Sequence, residues 1–195
     1  MARTRRVESP TGVYHWITRG VNKKHLFHSF QDYSFFKKLL LEYKISYEIQ
    51  IFHYCFMPNH IHLLLLSPNL EALGKFSHFV LRRYTYYYCK SHGWTGSVFQ
   101  KGYKSLVVEK ESYLLECGRY IERNPLKASL TTTLSEYPYS SYGFYTANRG
   151  DDLVTPSPAY LALSDNPNDQ IATYVEYVSQ TRAVDEMAGK GLLSV

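Results

Sequence analysis

Two histidines one residue apart, His60 and His62, open the apolar stretch His60-Ile61-His62-Leu63-Leu64-Leu65-Leu66, directly after Met57-Pro58-Asn59. In a strand the side chains alternate, so both imidazoles fall on one face, roughly 6–7 Å apart, with Ile61, Leu63 and Leu65 on the other. Imidazole nitrogens in so apolar a setting are costly to bury unless something uses them, and a divalent cation is the simplest user. Hydrogen bonds to neighbours would also satisfy them, but the hydrophobic flanks favour the metal. Downstream, Tyr120 and Asn124 stand one helical turn apart and share a face. A phenol with a pKa near 10 is a poor nucleophile at neutral pH unless a cation or base helps remove its proton. A cation gripped by His60 and His62 would polarise a phosphate and steady the leaving oxygen, and the Asn124 amide oxygen can approach the same ion. Imidazole together with hard oxygen ligands suits Mg²⁺ or Mn²⁺. Taken singly, Tyr120 reads as one packing residue among 19 tyrosines, and Asn124 before Pro125 as a natural helix N-cap. Only in combination with the histidine pair does the chemical reading prevail.

These residues need elements to hold them. An apolar run over 49–56, the turn chemistry of Pro58-Asn59 and a second run over 60–67 predict a hairpin that carries the histidines. Gly12 to Thr18, with Val13, His15 and Ile17 alternating against Tyr14 and Trp16, reads as a first strand, followed by a donor-rich turn over 19–24 that could cradle a phosphate or be plain solvated loop. Ser29 and Asp32 resemble a capping box opening a helix over 30–43. Leu73, Phe76, Val80, Tyr84 and Tyr87 recur at helical spacing within 70–90, with Lys75, His78 and Arg82 on another face. A strand is best placed at 104–108 and a helix at 109–124, where Gly118 hints at close packing or a hinge because an interior glycine costs about 1 kcal/mol relative to alanine. A capped helix is expected from Asn166-Pro167 to about residue 180. The order strand, helix, strand, strand, helix, strand fits an α+β ferredoxin-like sandwich: an antiparallel sheet with helices on one face, an added helix bearing the tyrosine, and a small C-terminal helical extension. In that topology the first and third strands are central neighbours, which puts the histidines mid-sheet.

The net charge of +5 conceals an asymmetry: 20 Lys and Arg against 10 Asp and Glu before residue 150, and 2 against 7 from there on. The division suggests a basic arm over 1–11, a catalytic domain over 12–149 and an acidic extension over 150–195, with the basic part suited to a polyanion. Arg3, Arg5 and Arg6 of the arm, with Arg19, Lys23, Lys24, Arg82, Arg83, Lys101 and Lys104, are candidates for phosphate-backbone contacts. Cys55, Cys89 and Cys117 are odd in number and outside any metal-knuckle spacing, which suggests reduced thiols in a cytosol. No signal-peptide pattern and no apolar run of roughly 20 residues is present, so a soluble protein without a membrane partner is expected.

The chain resembles the HUH single-tyrosine transposases of bacterial insertion sequences, and most closely the REP-associated tyrosine transposases. The resemblance rests on His60-Ile61-His62 after Met57-Pro58-Asn59 and on Arg119-Tyr120-Ile121-Glu122-Arg123-Asn124-Pro125-Leu126-Lys127-Ala128, with Thr18 to Asn22, Phe99 to Ser105 and Tyr137 to Tyr142 as further matching blocks. It covers about residues 12–145 and implies a metal pair at His60 and His62, a nucleophile at Tyr120 and a third, polar ligand at Asn124, where some relatives carry Gln. It further implies cleavage of single-stranded DNA near a hairpin by Tyr120, giving a 5′-phosphotyrosine link and a free 3′-hydroxyl that can later rejoin strands, with no nucleotide cofactor. Whether the site is built within one chain or shared across a homodimer is left open. Two rivals remain at the level of sequence. A non-enzymatic single-strand-binding module would use Lys101-Gly102-Tyr103, which begins an RNP1-like pattern that Lys104 and Ser105 break. A metallo-phosphodiesterase would use His60, His62 and a further histidine such as His15, with water as nucleophile.

Overall fold

The computed structural model describes residues 7–147 and 149–180; Arg3, Arg5 and Arg6 lie outside them. Four strands, β1 (Val13–Gly20), β2 (Gln50–Met57), β3 (His60–Leu66) and β4 (Phe99–Val107), form one antiparallel sheet in the order β2-β3-β1-β4. The first and third strands are therefore the central pair, as the ferredoxin-like arrangement requires. Met57 pairs with His60 across the Pro58-Asn59 turn. That turn is tied to the chain after β1, because Pro58 O accepts from the amides of Leu26 and Phe27 and Asn59 O from that of Gly20.

Strand alternation sorts the sheet's side chains into two cores. On one face Tyr14, Trp16, Tyr54, Phe56, Ile61, Leu63 and Leu65 pack against α1 (Phe30–Ser46) and α2 (Leu70–His92). Helix α1 opens with the Ser29/Asp32 capping box and α2 with Asn69, whose side chain accepts from the Ala72 amide, so both begin with their orphan amides answered. On the other face Val13, Phe52, Cys55, Met57 and Leu64 meet Leu114 and Ile121 of α3 (Leu114–Glu122), with Tyr120 half-buried at the margin.

The helix expected over 109–124 is broken into pieces: a 3-10 turn over Glu111–Tyr113, then α3, then α4 (Asn124–Lys127). Pro125 lacks the amide that would continue the ladder, which accounts for the break after Glu122. Strand β4 is longer than expected, beginning at Phe99 rather than near Lys104. Beyond it, α5 (Tyr142–Ala147), α6 (Pro158–Leu161) and α7 (Pro167–Ser179) close over the α3 side; Leu153, Tyr160, Tyr174 and Val178 belong to the buried core. Asn166 caps α7 through its side chain, with Pro167 in the first turn, matching the sequence expectation.

Candidate active site

His60 and His62 project from β3 onto the α3 face of the sheet, with ring centroids 4.9 Å apart. His62 is 1 % exposed and His15, on the neighbouring β1, 2 %. The ring nitrogens are already oriented. His60 Nδ1 lies 2.6 Å from Asn59 Oδ1, which can only accept, so Nδ1 carries the proton and Nε2 keeps its lone pair. His62 Nδ1 lies 2.9 Å from His15 Nε2. Burial holds all three imidazoles neutral: it pushes His15 down to about 3, His60 to about 4, with Arg19 adding to the effect, and His62 well below its ordinary value, where His15, His60 and Arg19 contribute as well. Neutral imidazoles are what a cation needs from such ligands, and the His60 tautomer is set by Asn59.

Tyr120 meets this group from α3. Its ring stands edge-on to His15 at 5.9 Å and to His62 at 6.1 Å between centroids. Burial raises the pKa of the phenol, so it does not ionise unaided at neutral pH. The ammonium of Lys127, seven residues on in α4, lies 4.6 Å from the Tyr120 ring centroid. Asn124 follows on the same side, but it is not the side-chain N-cap of α4. Its Nδ2 donates to the carbonyls of Tyr120 (2.8 Å) and Ile121 (3.2 Å), which turns the amide oxygen away from the helix backbone.

The DNA-contact candidates divide by face. Ile17 pairs with both His62 and Lys104, and Arg19 with His60, so Arg19 and Lys104 share the histidine face. Ile17, Arg19, Lys101 and Lys104 line a shallow groove of about 220 Å³ with Thr18, Gln100, Gly102 and Tyr103. Lys23 is exposed, whereas the Lys24 ammonium sits 3.2 Å over the Trp94 ring. Several amides of the 19–24 turn are already engaged: Gly20 donates to Asn59 O, Val21 to Val98 O and Lys24 to Val21 O. Arg82 and Arg83 lie exposed on α2, across the sheet from the histidines.

The residues 9–124 match the IS200-like transposase family, a span of well over half the chain. The chain belongs to that family. This IS200-like transposase is a DNA transposase of the single-tyrosine type, and the family expectation drawn from the His-x-His and Tyr120 blocks holds. No curated protein matches the chain. Among solved structures, one of a REP-associated tyrosine transposase bound to a REP hairpin aligns with a TM-score of 0.65 and 16 % identity, covering 80 % of this chain and 96 % of that one, and establishes the likeness of fold. A candidate transposase from Deinococcus radiodurans R1 aligns with a TM-score of 0.42 and 19 % identity over 63 % of this chain and 95 % of that one.

His15 and Lys127 stand beside Tyr120 without a transposase role in the sequence expectation. His15 appeared only as a ligand in the hydrolase reading, yet its Nε2 faces His62 rather than an open position. Lys127 lay within the matching block without a role. Among the described residues no group of three or more His, Cys, Asp or Glu could hold a metal.

Proposed function

We propose that this transposase nicks and rejoins single-stranded DNA at hairpin-bearing sites, with Tyr120 as nucleophile and a divalent cation held by His60, His62 and Asn124. The observation that carries the reading is the meeting of Tyr120, from α3, with the imidazoles of the central strands, within about 6 Å ring to ring. The donor set fits a cation: two neutral imidazoles, His60 with its Nε2 lone pair free, and one amide oxygen. A cation bound there would screen the charge of a phosphodiester and ease ionisation of the phenol. Two nitrogen donors favour Mn²⁺ over Mg²⁺ in affinity.

The chain's own residues supply the rest. Lys127, Arg19 and Lys104 border the site with positive charge suited to a phosphate backbone. The Tyr120 oxygen attacks phosphorus in line; the P–Oη bond forms as the P–O3′ bond breaks, and the proton lost by the phenol is balanced by one gained at the departing 3′-oxygen. The 5′-phosphotyrosine keeps a phosphodiester, so a 3′-hydroxyl can reverse the step and join strands without a nucleotide cofactor. The hairpin carried by the REP-associated transposase of similar fold supports the choice of substrate.

Labelled hairpin DNA incubated with Mn²⁺ should yield a covalent protein–DNA adduct that Tyr120→Phe abolishes while DNA binding survives. His60→Ala should lose cleavage with little loss of affinity, because the phosphate contacts come from elsewhere. A single-strand-binding module would give no cleavage. A water-dependent phosphodiesterase would cleave without an adduct and continue in Tyr120→Phe.

A further inference from the structure

His15 is out of place in its surroundings. It occupies β1 between Val13 and Ile17, facing a core of Val13, Cys55, Met57, Leu64 and Leu114, where an apolar side chain would serve packing better. Its Nδ1 is buried and has no hydrogen-bond partner among the described residues, a condition that ordinarily costs about 1–3 kcal/mol. Buried polar groups are almost always paired, so this one calls for a reason.

Nδ1 stays unpaired whether it carries the proton or the lone pair, so what His15 offers lies at its other nitrogen, in the proton inventory of the His15–His62 contact. Two neutral imidazoles joined by one N–N hydrogen bond of 2.9 Å share one proton in one of two ways. If His15 Nε2 donates, His62 carries its own proton on Nε2 and has no lone pair for a cation. If His62 Nδ1 donates, His62 Nε2 is free to ligate, and His15 keeps its proton on the buried Nδ1. We propose that His15 is a positioning residue: it accepts the Nδ1 proton of His62 and so holds the His62 Nε2 lone pair, and the plane of that ring, toward the cation. The proposal rests on the metal-site reading above and adds a second-strand partner to it. His60 is served in the same manner by Asn59, so the two ligands are oriented by one acceptor each, from the turn and from β1. Such supporting acceptors typically contribute 10–100-fold to metal affinity.

The test uses the full chain without DNA. Mn²⁺ titrated by electron paramagnetic resonance should bind His15→Phe about 10–100-fold more weakly than the parent. His15→Gln, whose Oε1 can accept the same proton, should recover most of that loss. Equal Mn²⁺ affinity in His15→Phe would overturn the proposal, as would Gln and Phe variants equally impaired. Independently of any variant, ¹⁵N–¹H spectra of the imidazoles in the parent protein with Mg²⁺ should report His62 as the Nδ1–H tautomer; an Nε2–H tautomer would overturn it. Binding of Mn²⁺ that His62→Ala leaves unchanged would instead remove the metal-site reading itself, and the role of His15 with it.

Discussion

Gly118 is where a single atom decides the seating of the tyrosine-bearing helix. A Cβ built there would lie 2.6 Å from Nε2 of His53, a side chain fully buried on β2. Alanine would raise helix propensity by about 1 kcal/mol, but overpacking of a closed core costs about 1–3 kcal/mol. Gly118→Ala is therefore expected to lower the Tm. A rise would mean that His53 gives way freely and that α3 is not seated by this contact. The sequence signalled close packing at Gly118 because an interior helical glycine is itself a local anomaly. His60 and His62 were legible for a similar reason: strand alternation is local, and two imidazoles in a leucine run violate its surroundings. His15 and Lys127 were not, since their roles depend on strand register and on how α4 folds back on Tyr120, and neither is written in nearby residues.

Helix α3 is fixed by its buried end. Glu122, two residues past Tyr120 and fully buried, accepts from Ser141 Oγ (2.6 Å) and Tyr174 Oη (2.9 Å) and pairs with His53 Nδ1 (3.0 Å). Arg119 bonds to Gln180 O and to Glu116, while Arg123 donates to the carbonyls of Val178 (2.7 Å) and Ser179 (3.2 Å), so α7's C-terminal end rests on the tyrosine-bearing helix. Glu122→Ala leaves three buried partners without their acceptor and should lower stability by about 3–5 kcal/mol, with a smaller loss in Glu122→Gln. Thermal unfolding checks this, and an unchanged Tm in Glu122→Ala would show that water answers those groups. At this scale the long helices and the hairpin were legible because their apolar periodicity is sustained. Strand β4 is only partly legible because Gln100, Lys101 and Lys104 are exposed on a sheet edge, where polar residues and Gly102 look like loop. The tyrosine helix is shorter than the expected 109–124 chiefly at its start, where Glu111–Tyr113 forms a separate 3-10 turn before Leu114, and at its end, where Pro125 interrupts the ladder.

Over the whole molecule, topology rather than composition gathers the site. Strands β1 and β3 are distant in sequence yet adjacent mid-sheet, and the βαββαβ order that places them so could be read from the chain because each element announces its type. What the order did not convey is that residues 150–180, though acidic in balance, contribute Tyr174 and Val178 to the core beside α3. Basic charge, by contrast, is distributed by face. Arg19→Ala and Lys104→Ala, on the histidine face, should each weaken hairpin binding and reduce the slope of log K against log salt by about 1, while Arg83→Ala, across the sheet, should leave the slope unchanged. Equal slopes for all three would place the DNA elsewhere. The proposed chemistry turns on which atom takes the phosphate. Tryptic digestion of the protein–DNA adduct formed with Mn²⁺, followed by mass spectrometry, is expected to find the nucleotide on Tyr120-Ile121-Glu122-Arg123. A nucleotide on another tyrosine's peptide, or cleaved DNA with no modified peptide, would contradict it.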